Sequence, residues 1–439
     1  MQYPWWYVPI LTSPLVIAAV SVIHVLVSHY AVGGGLLLAR ENAYAVKTGD
    51  EEYRKYWKSH TKFFVLLTVV FGAITGVGIW WTIGLASPLA TQALIRTFVF
   101  GWAIEWVFFV IELAAAFAFY YYWDKLAKRD HVLIGWAYAL AAWISLVLIT
   151  GITAYMINAK GLFGDYAQTG NFWHAFFNVE FLPQMIARTG AALLLGTLYI
   201  FVHASWTIKD NDALKTKVVR RMIAPSIVGA LFLLGGMVAS VALFPQNALM
   251  AIERAAALNI MLALTAGSLG LLAVMIVFFV FPKPQTLTPQ FSLCLLFIAF
   301  AAFACSEFIR EAARKPYIVD GQILGNQIAV SQIADCQKDG FLSQGVWTSK
   351  YMQTKDANPG LALFMHHCND CHASEMGLSA LSLLTYGETK EQIAEKIKHL
   401  DKPNVSMPPW CGTDEEADQL AEYLVSIQRK DSEKPANSN

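Results

Sequence analysis

The stretch VFGWAIEWVFFVIELAAAFAFYYYWDK, residues 99–125, decides the architecture. From Val99 to Tyr122 its only charged residues are Glu105 and Glu112, and it contains no proline. A helix needs ~20 predominantly apolar residues to cross a bilayer, and this run is long enough. Its apolar residues are continuous rather than alternating, which excludes a barrel strand.

Working outward, similar runs recur at about 9–39, 62–86, 94–122, 132–157, 178–207, 222–244, 256–281 and 288–309. The expected fold is all-α: a polytopic transmembrane helical bundle of about eight spans. Composition agrees: the chain is 56% hydrophobic and 15% charged, whereas soluble domains are about 45–50% apolar and about 25% charged. The apolar excess lies before Pro316, and the remainder has ordinary soluble composition. This divides the chain into a membrane domain (1–316), a polar linker or extended collar rich in Gly, Gln, Asn and Asp (317–358), and a soluble domain (359–439). The first apolar run has no basic segment before it and is too long for a signal-peptide core, so it is expected to remain as a span. A net charge of zero offers no footing for nucleic acid.

Loop charge predicts sidedness. Arg40, Lys47, Arg54, Lys55, Lys58, Lys62, Lys125, Lys128, Arg129, Lys209, Lys215, Lys217, Arg220, Arg221 and Lys283 follow odd-numbered spans, while only Arg96, Lys160 and Arg254 follow even-numbered ones. Cytoplasmic loops collect Lys and Arg. The N-terminus and the soluble tail are therefore both expected on the outer, periplasmic side of a bacterial inner membrane.

Residues 368–372 read Cys-Asn-Asp-Cys-His. In Cys-x-x-Cys-His, two thiols add to haem vinyls and the adjacent His ligates the iron. A zinc site would need a second ligand pair, and none stands at suitable spacing. Cys368 and Cys371 are thus expected to hold a covalent haem c, with His372 as the axial ligand. Haem c is attached on the outer face of such membranes, so motif and loop charge agree. Met407, in Ser-Met-Pro-Pro-Trp, is the expected second axial ligand; His366, His367, His399 and Met376 are its competitors. Thr413-x-x-Glu416 forms a capping box ahead of a helix. The tail resembles a small class I cytochrome c. Cys336 and Cys411 remain in the tail, either paired in a disulfide or as two free thiols.

Ionisable residues inside spans are costly and mark function. The first span carries His24 and His29, followed by Gly33-Gly34-Gly35, which permits close approach by a flat cofactor or another helix. In the third, Glu105 and Glu112 are seven apart, nearly on one face, which suits a proton relay or a pair of structural hydrogen bonds. Glu307, Arg310, Glu311 and Arg314 recur at the end of the eighth: Glu can ligate iron and Arg can hold propionates. Arg188 and His203 lie in the fifth.

These residues carry a resemblance to subunit I of cytochrome bd oxidase. They are His24 with Gly33, Trp57-Lys58 through Gly72-Ala-Ile-Thr-Gly76, Glu105 and Glu112 before Trp123-Asp124-Lys125, and Glu311-Ala-Ala-Arg314-Lys315-Pro316-Tyr317. The resemblance implies that His24 ligates one high-spin haem of an oxygen-reducing pair and Glu311 the other. The two haems are b and/or d, a choice that ligands do not reveal. Glu112 and Glu105 would deliver protons and Arg314 would hold propionates. It also implies a second, related membrane subunit. The family's long quinol-binding loop between spans six and seven is here only 245–255. Arg188 stands where the family has a low-spin haem ligand, Met261 has no assigned role, and the ninth span is replaced by the tail. This resembles the cytochrome c-fused branch of the superfamily. The expectation is a terminal oxidase that takes electrons from a cytochrome c, or another haem donor, through its own haem c and reduces dioxygen to water. The alternative is a non-oxidase electron-transfer subunit of a larger respiratory complex.

Overall fold

Hydrocarbon cannot hydrogen-bond a bare backbone, so an apolar run inside a bilayer closes its own amides as a helix. In a computed structural model of the chain, describing residues 3–402 and 404–428, eight helices meet that condition: α1 Ser13–Thr48, α2 Glu51–Ala86, α3 Val99–Tyr121, α4 Lys128–Tyr155, α5 Phe181–Thr207, α6 Asp212–Ala242, α7 Ala256–Val280 and α8 Pro289–Ala313. Several begin earlier than hydropathy indicates. α2 starts at Glu51 because Asp50 caps it, accepting from the Tyr53 amide at 2.9 Å. α6 starts at Asp212 because Asn211 accepts from the Leu214 amide at 2.9 Å. Caps end helices, whereas hydropathy marks only the part that lies in lipid. The connection at 245–255, expected as a short loop, holds a helix, Gln246–Arg254.

The chain divides into two compact units. The larger comprises residues 21–79 and 94–313. Its central helix is α5, which packs along α6 and also against α4 and α8; α3 pairs with α4, and α7 with α8. Small residues allow the tightest crossing: a Cβ added at Gly33 would stand 1.7 Å from the Ala192 carbonyl oxygen, and one at Gly196 would stand 2.7 Å from the Gly34 amide nitrogen. The glycine triplet on α1 therefore serves close helix approach. α2 is interrupted by a π-helical turn, Leu66–Phe71, a local widening that frequently accompanies functional sites.

The smaller unit gathers residues 1–20, 80–93 and 314–439, of which the described residues are considered. A two-stranded antiparallel ribbon, β1 Tyr317–Val319 and β2 Ile323–Leu324, opens its C-terminal part. Helices α9 Ile333–Asp339, α10 Pro359–His367, α11 Lys390–Lys398 and α12 Asp414–Ser426 follow. α10 crosses α12 at Gly360, where an added Cβ would stand 2.5 Å from the Gln419 carbonyl oxygen.

The expected division at 316/317 and 358/359 differs from the packing. Leu324, Ile328, Cys336, Phe341 and Leu342, from the segment read as linker, are buried in one core with Leu363, Phe364, Ile397, Trp410 and Leu420. Spaced apolar residues among many polar ones suffice when each finds a place in a shared core. The start of the chain also belongs here: Ile10 bridges Gly377, and the Leu378 amide donates to the Ile10 carbonyl at 2.8 Å.

Candidate haem sites

His24 lies on α1 against α2. Its Nδ1 is 3.1 Å from the Thr75 hydroxyl, and a Cβ at Gly76 would stand 3.1 Å from its Cε1. The Gly72-to-Gly76 stretch is thus the platform of this imidazole: a hydroxyl orients the ring and a glycine makes room for it. An imidazole held through one nitrogen presents the other to a metal in fixed orientation. His24 therefore fits an axial ligand, with Nε2 as the coordinating atom. His29, one turn on, is 4% exposed. Its Nδ1 is 2.8 Å from the Val25 carbonyl, and its Nε2 has no partner.

Glu105 and Glu112 both face α4. Glu112 accepts from the Tyr138 hydroxyl at 3.1 Å and Glu105 from the Ser145 hydroxyl at 3.5 Å. The seven-residue spacing on α3 is matched by a seven-residue spacing on the antiparallel α4, so both acids share one helix interface. Tyr138 is 4% exposed. Its hydroxyl also lies 3.2 Å from the Ala31 carbonyl, which gives its one proton two acceptors.

Near the end of α8, Glu307 and Arg310 form an ion pair at 2.8 Å. Arg188 on α5 and His29 on α1 lie within electrostatic reach of Glu307. Charges withdrawn from water persist only when paired. Arg188, standing where a low-spin ligand was expected from the family, is thus placed in a charge cluster. Glu311 is half-buried one turn beyond Glu307. Arg314, in the smaller unit, is 6% exposed and donates to the Ile318 carbonyl at 3.2 Å.

In the tail, α10 delivers Cys368 and the following turn delivers Cys371 and His372. The His372 Nδ1 lies 2.9 Å from the Ser379 carbonyl, leaving Nε2 for iron. Burial holds this imidazole below its usual range, partly opposed by that hydrogen bond. Burial also pushes the Cys368 thiol up to about 12. These residues fit a covalently held haem.

Met407 closes a turn, its amide donating to Asn404 at 2.9 Å. The competing histidines each have neighbours of their own. The two nitrogens of His367 lie 3.2 and 3.1 Å from the Leu363 and Cys411 carbonyls. His366 packs edge-on against Trp5 with ring centroids 5.4 Å apart. His399 reaches Glu395 at 3.4 Å, and Met376 is 71% exposed.

Comparison with known proteins matches residues 13–252 to the family model described as cytochrome bd terminal oxidase subunit I. The chain belongs to this family. Residues 355–424 match a second model, cytochrome c oxidase, cbb3-type, subunit III. The chain is therefore a membrane cytochrome bd-type oxidase subunit I fused to a cytochrome c domain. Its fold is similar to that of a chain in the solved structure of bd oxidase from Geobacillus thermodenitrificans, with TM-score 0.57, 16% identity, and coverage of 70% of this chain and 88% of that one. No curated protein matches the chain. Membership in the bd oxidase family makes it an oxidoreductase, and both matched families imply haem. The match to the subunit I family ends before α7 and α8, so Glu311 lies beyond it.

The sequence reading of this bd-family chain passed over several buried polar groups. His60 is fully buried, with its Nε2 3.2 Å from the Tyr30 hydroxyl and its ring 4.7 Å from that of His203. Glu41 is fully buried between Arg221, Arg40 and the Tyr53 hydroxyl. Lone polar residues at the ends of apolar runs look like loop edges in sequence, and only packing shows them enclosed.

Proposed function

We propose that this chain is the catalytic subunit of a cytochrome c-dependent oxygen reductase. Cys368 and Cys371 would hold a haem c covalently, with His372 and Met407 as the ligands to its iron, and that group would supply the entry for electrons from a cytochrome c or another haem donor. His24 and Glu311 would hold a high-spin pair of b and/or d haems. Bound there, the iron porphyrins supply the electron-transfer and dioxygen-binding chemistry. The balance is four electrons and four protons per dioxygen, giving two waters.

The protein's own part is ligation and proton handling. Thr75 orients His24. Arg314 is the guanidinium that would hold propionates. Tyr138 and Ser145 hold Glu112 and Glu105 along one interface, where each carboxyl can gain or lose a proton and swing between partners. A carboxyl held at a helix interface by a single hydroxyl is placed to take up and release protons in turn. The N-terminus and tail face the periplasmic side of a bacterial inner membrane, and a second bd-type membrane subunit completes the complex.

The observation that carries the reading is a pair of imidazoles, His24 and His372, one in each unit, each fixed through Nδ1 and each offering Nε2. The test is a reduced-minus-oxidised spectrum of the purified complex, with and without carbon monoxide, alongside oxygen uptake with reduced cytochrome c. A c-type band and a carbon monoxide-sensitive high-spin band are expected. A His24→Ala variant should lose the second and keep the first. If no haem binds carbon monoxide, the chain is an electron-transfer subunit instead. Turnover on quinol alone that survives Cys368→Ser would move electron entry away from the tail.

A further inference from the structure

Two thiols of the smaller unit take no part in the haem motif. Cys336 lies on α9 and is 5% exposed; Cys411 is fully buried, four residues beyond Met407. They come from segments 75 residues apart in sequence, yet both are buried in the same core, close enough for the two thiols to interact. The backbones around them are already tied. Gln337, next to Cys336, donates from Nε2 to the Trp410 carbonyl at 2.9 Å. The amides of Phe341 and Leu342 donate to the Glu416 carboxylate at 2.9 and 2.7 Å, and Glu416 also accepts from the Thr413 amide at 3.0 Å.

A metal does not account for the pair. No group of three or more His, Cys, Asp or Glu among the described residues is arranged to hold one. Cys336 also makes a weak contact to the Gln344 amide oxygen at 4.0 Å. Two enclosed thiols, each the other's neighbour and without a metal, are what an oxidising compartment converts to a bridge.

We propose that Cys336 and Cys411 form a structural disulfide that fastens the Met407 loop to α9. The inference rests on the reading that places the tail outside the membrane. Each thiol gives up its proton, one sulfur–sulfur bond forms, and the two electrons reduce the disulfide of a thiol–disulfide oxidoreductase, which leaves as a dithiol. Burial dates the step. An oxidoreductase cannot reach sulfurs this enclosed once the unit has folded, so the bond is made during folding and then persists. It is a staple rather than a switch. Its effect is local: Met407-Pro-Pro-Trp-Cys411 becomes a short span anchored at its far end, which would keep the Met407 sulfur near the iron that it is proposed to ligate.

The test uses the purified complex. The protein is denatured and alkylated with and without prior reduction, then digested and analysed by mass. Without reduction, a cross-linked peptide pair containing Cys336 and Cys411 is expected, while Cys294 and Cys305 are alkylated. After reduction, all four are alkylated. Alkylation of Cys336 and Cys411 without reduction overturns the proposal. The same digest reports whether the 368–372 peptide carries haem. Haem present with both thiols free rejects the staple and leaves the functional reading standing; haem absent with both thiols free rejects both. A second measurement follows the ferric methionine–iron absorption band in denaturant. Cys336→Ser and the double variant with Cys411→Ser should lose the band at the same lowered midpoint, and unequal midpoints count against a bond between the two.

Discussion

At the scale of single residues, function depends on what holds each polar side chain. His24 is oriented by one hydroxyl, so Thr75→Val should leave haem content nearly intact while broadening or shifting the high-spin band, measured in the reduced spectrum with carbon monoxide. Glu112→Gln should lower turnover by about 10²-fold or more, the usual effect of removing a proton donor or acceptor. Tyr138→Phe should cost less, because it removes an orienting hydrogen bond and leaves the carboxyl. His366 makes a prediction about acid. Burial, with a smaller contribution from His367, holds its imidazole down at about 3. The unfolded chain takes up a proton near 6.5, so the folded state is favoured above that pH and loses the advantage as pH falls toward 3. The slope is at most about 1.4 kcal/mol per pH unit. Denaturation of the tail, followed through its haem band at several pH values, should show His366→Phe with a flatter acid limb than the native chain.

At the scale of elements, the glycines of α1 set how close the helices come. An added methyl at Gly33 has no space beside the Ala192 carbonyl. Gly33→Ala should therefore force α1 from α5 and destabilise the bundle by about 1–3 kcal/mol, the usual cost of overpacking. The readout is a lower temperature of haem loss in detergent. Gly49, with open space around it and φ +68, is a contrast: its replacement strains only a turn. Much of this level was legible in sequence. Uninterrupted apolar runs announced eight spans, and the seven-residue spacing of Glu105 and Glu112 announced a common face. The helix ends were not legible, because Asp50 and Asn211 act as caps only in the context of the turn that follows them.

At the scale of the whole molecule, the prediction concerns sides. On the proposed topology, loop charge and the haem motif predict both ends of the chain on the outer face. A membrane-impermeant protease should remove the tail in spheroplasts and leave it intact in inverted vesicles, and the reverse result would refute the topology. The packing adds that residues 3–20 and 80–93 belong with the tail. Truncation after 316 should therefore leave exposed the apolar surface that these segments bury, and the truncated chain should aggregate.

Some of this protein was settled by residue type and spacing alone. A helix in lipid must be long, apolar and continuous, so the eight spans are readable along one dimension, and haem attachment needs two thiols and an imidazole at fixed separations, so spacing alone proposes Cys368, Cys371 and His372. What only the tertiary structure decided involves partners distant in sequence: Thr75 and Gly76 under His24, Tyr138 against Glu112, Cys411 beside Cys336, and Leu324 to Leu342 in the tail's core. Hydrogen bonds and burial are set by separation in space. Sequence position does not specify that separation until the helices have packed.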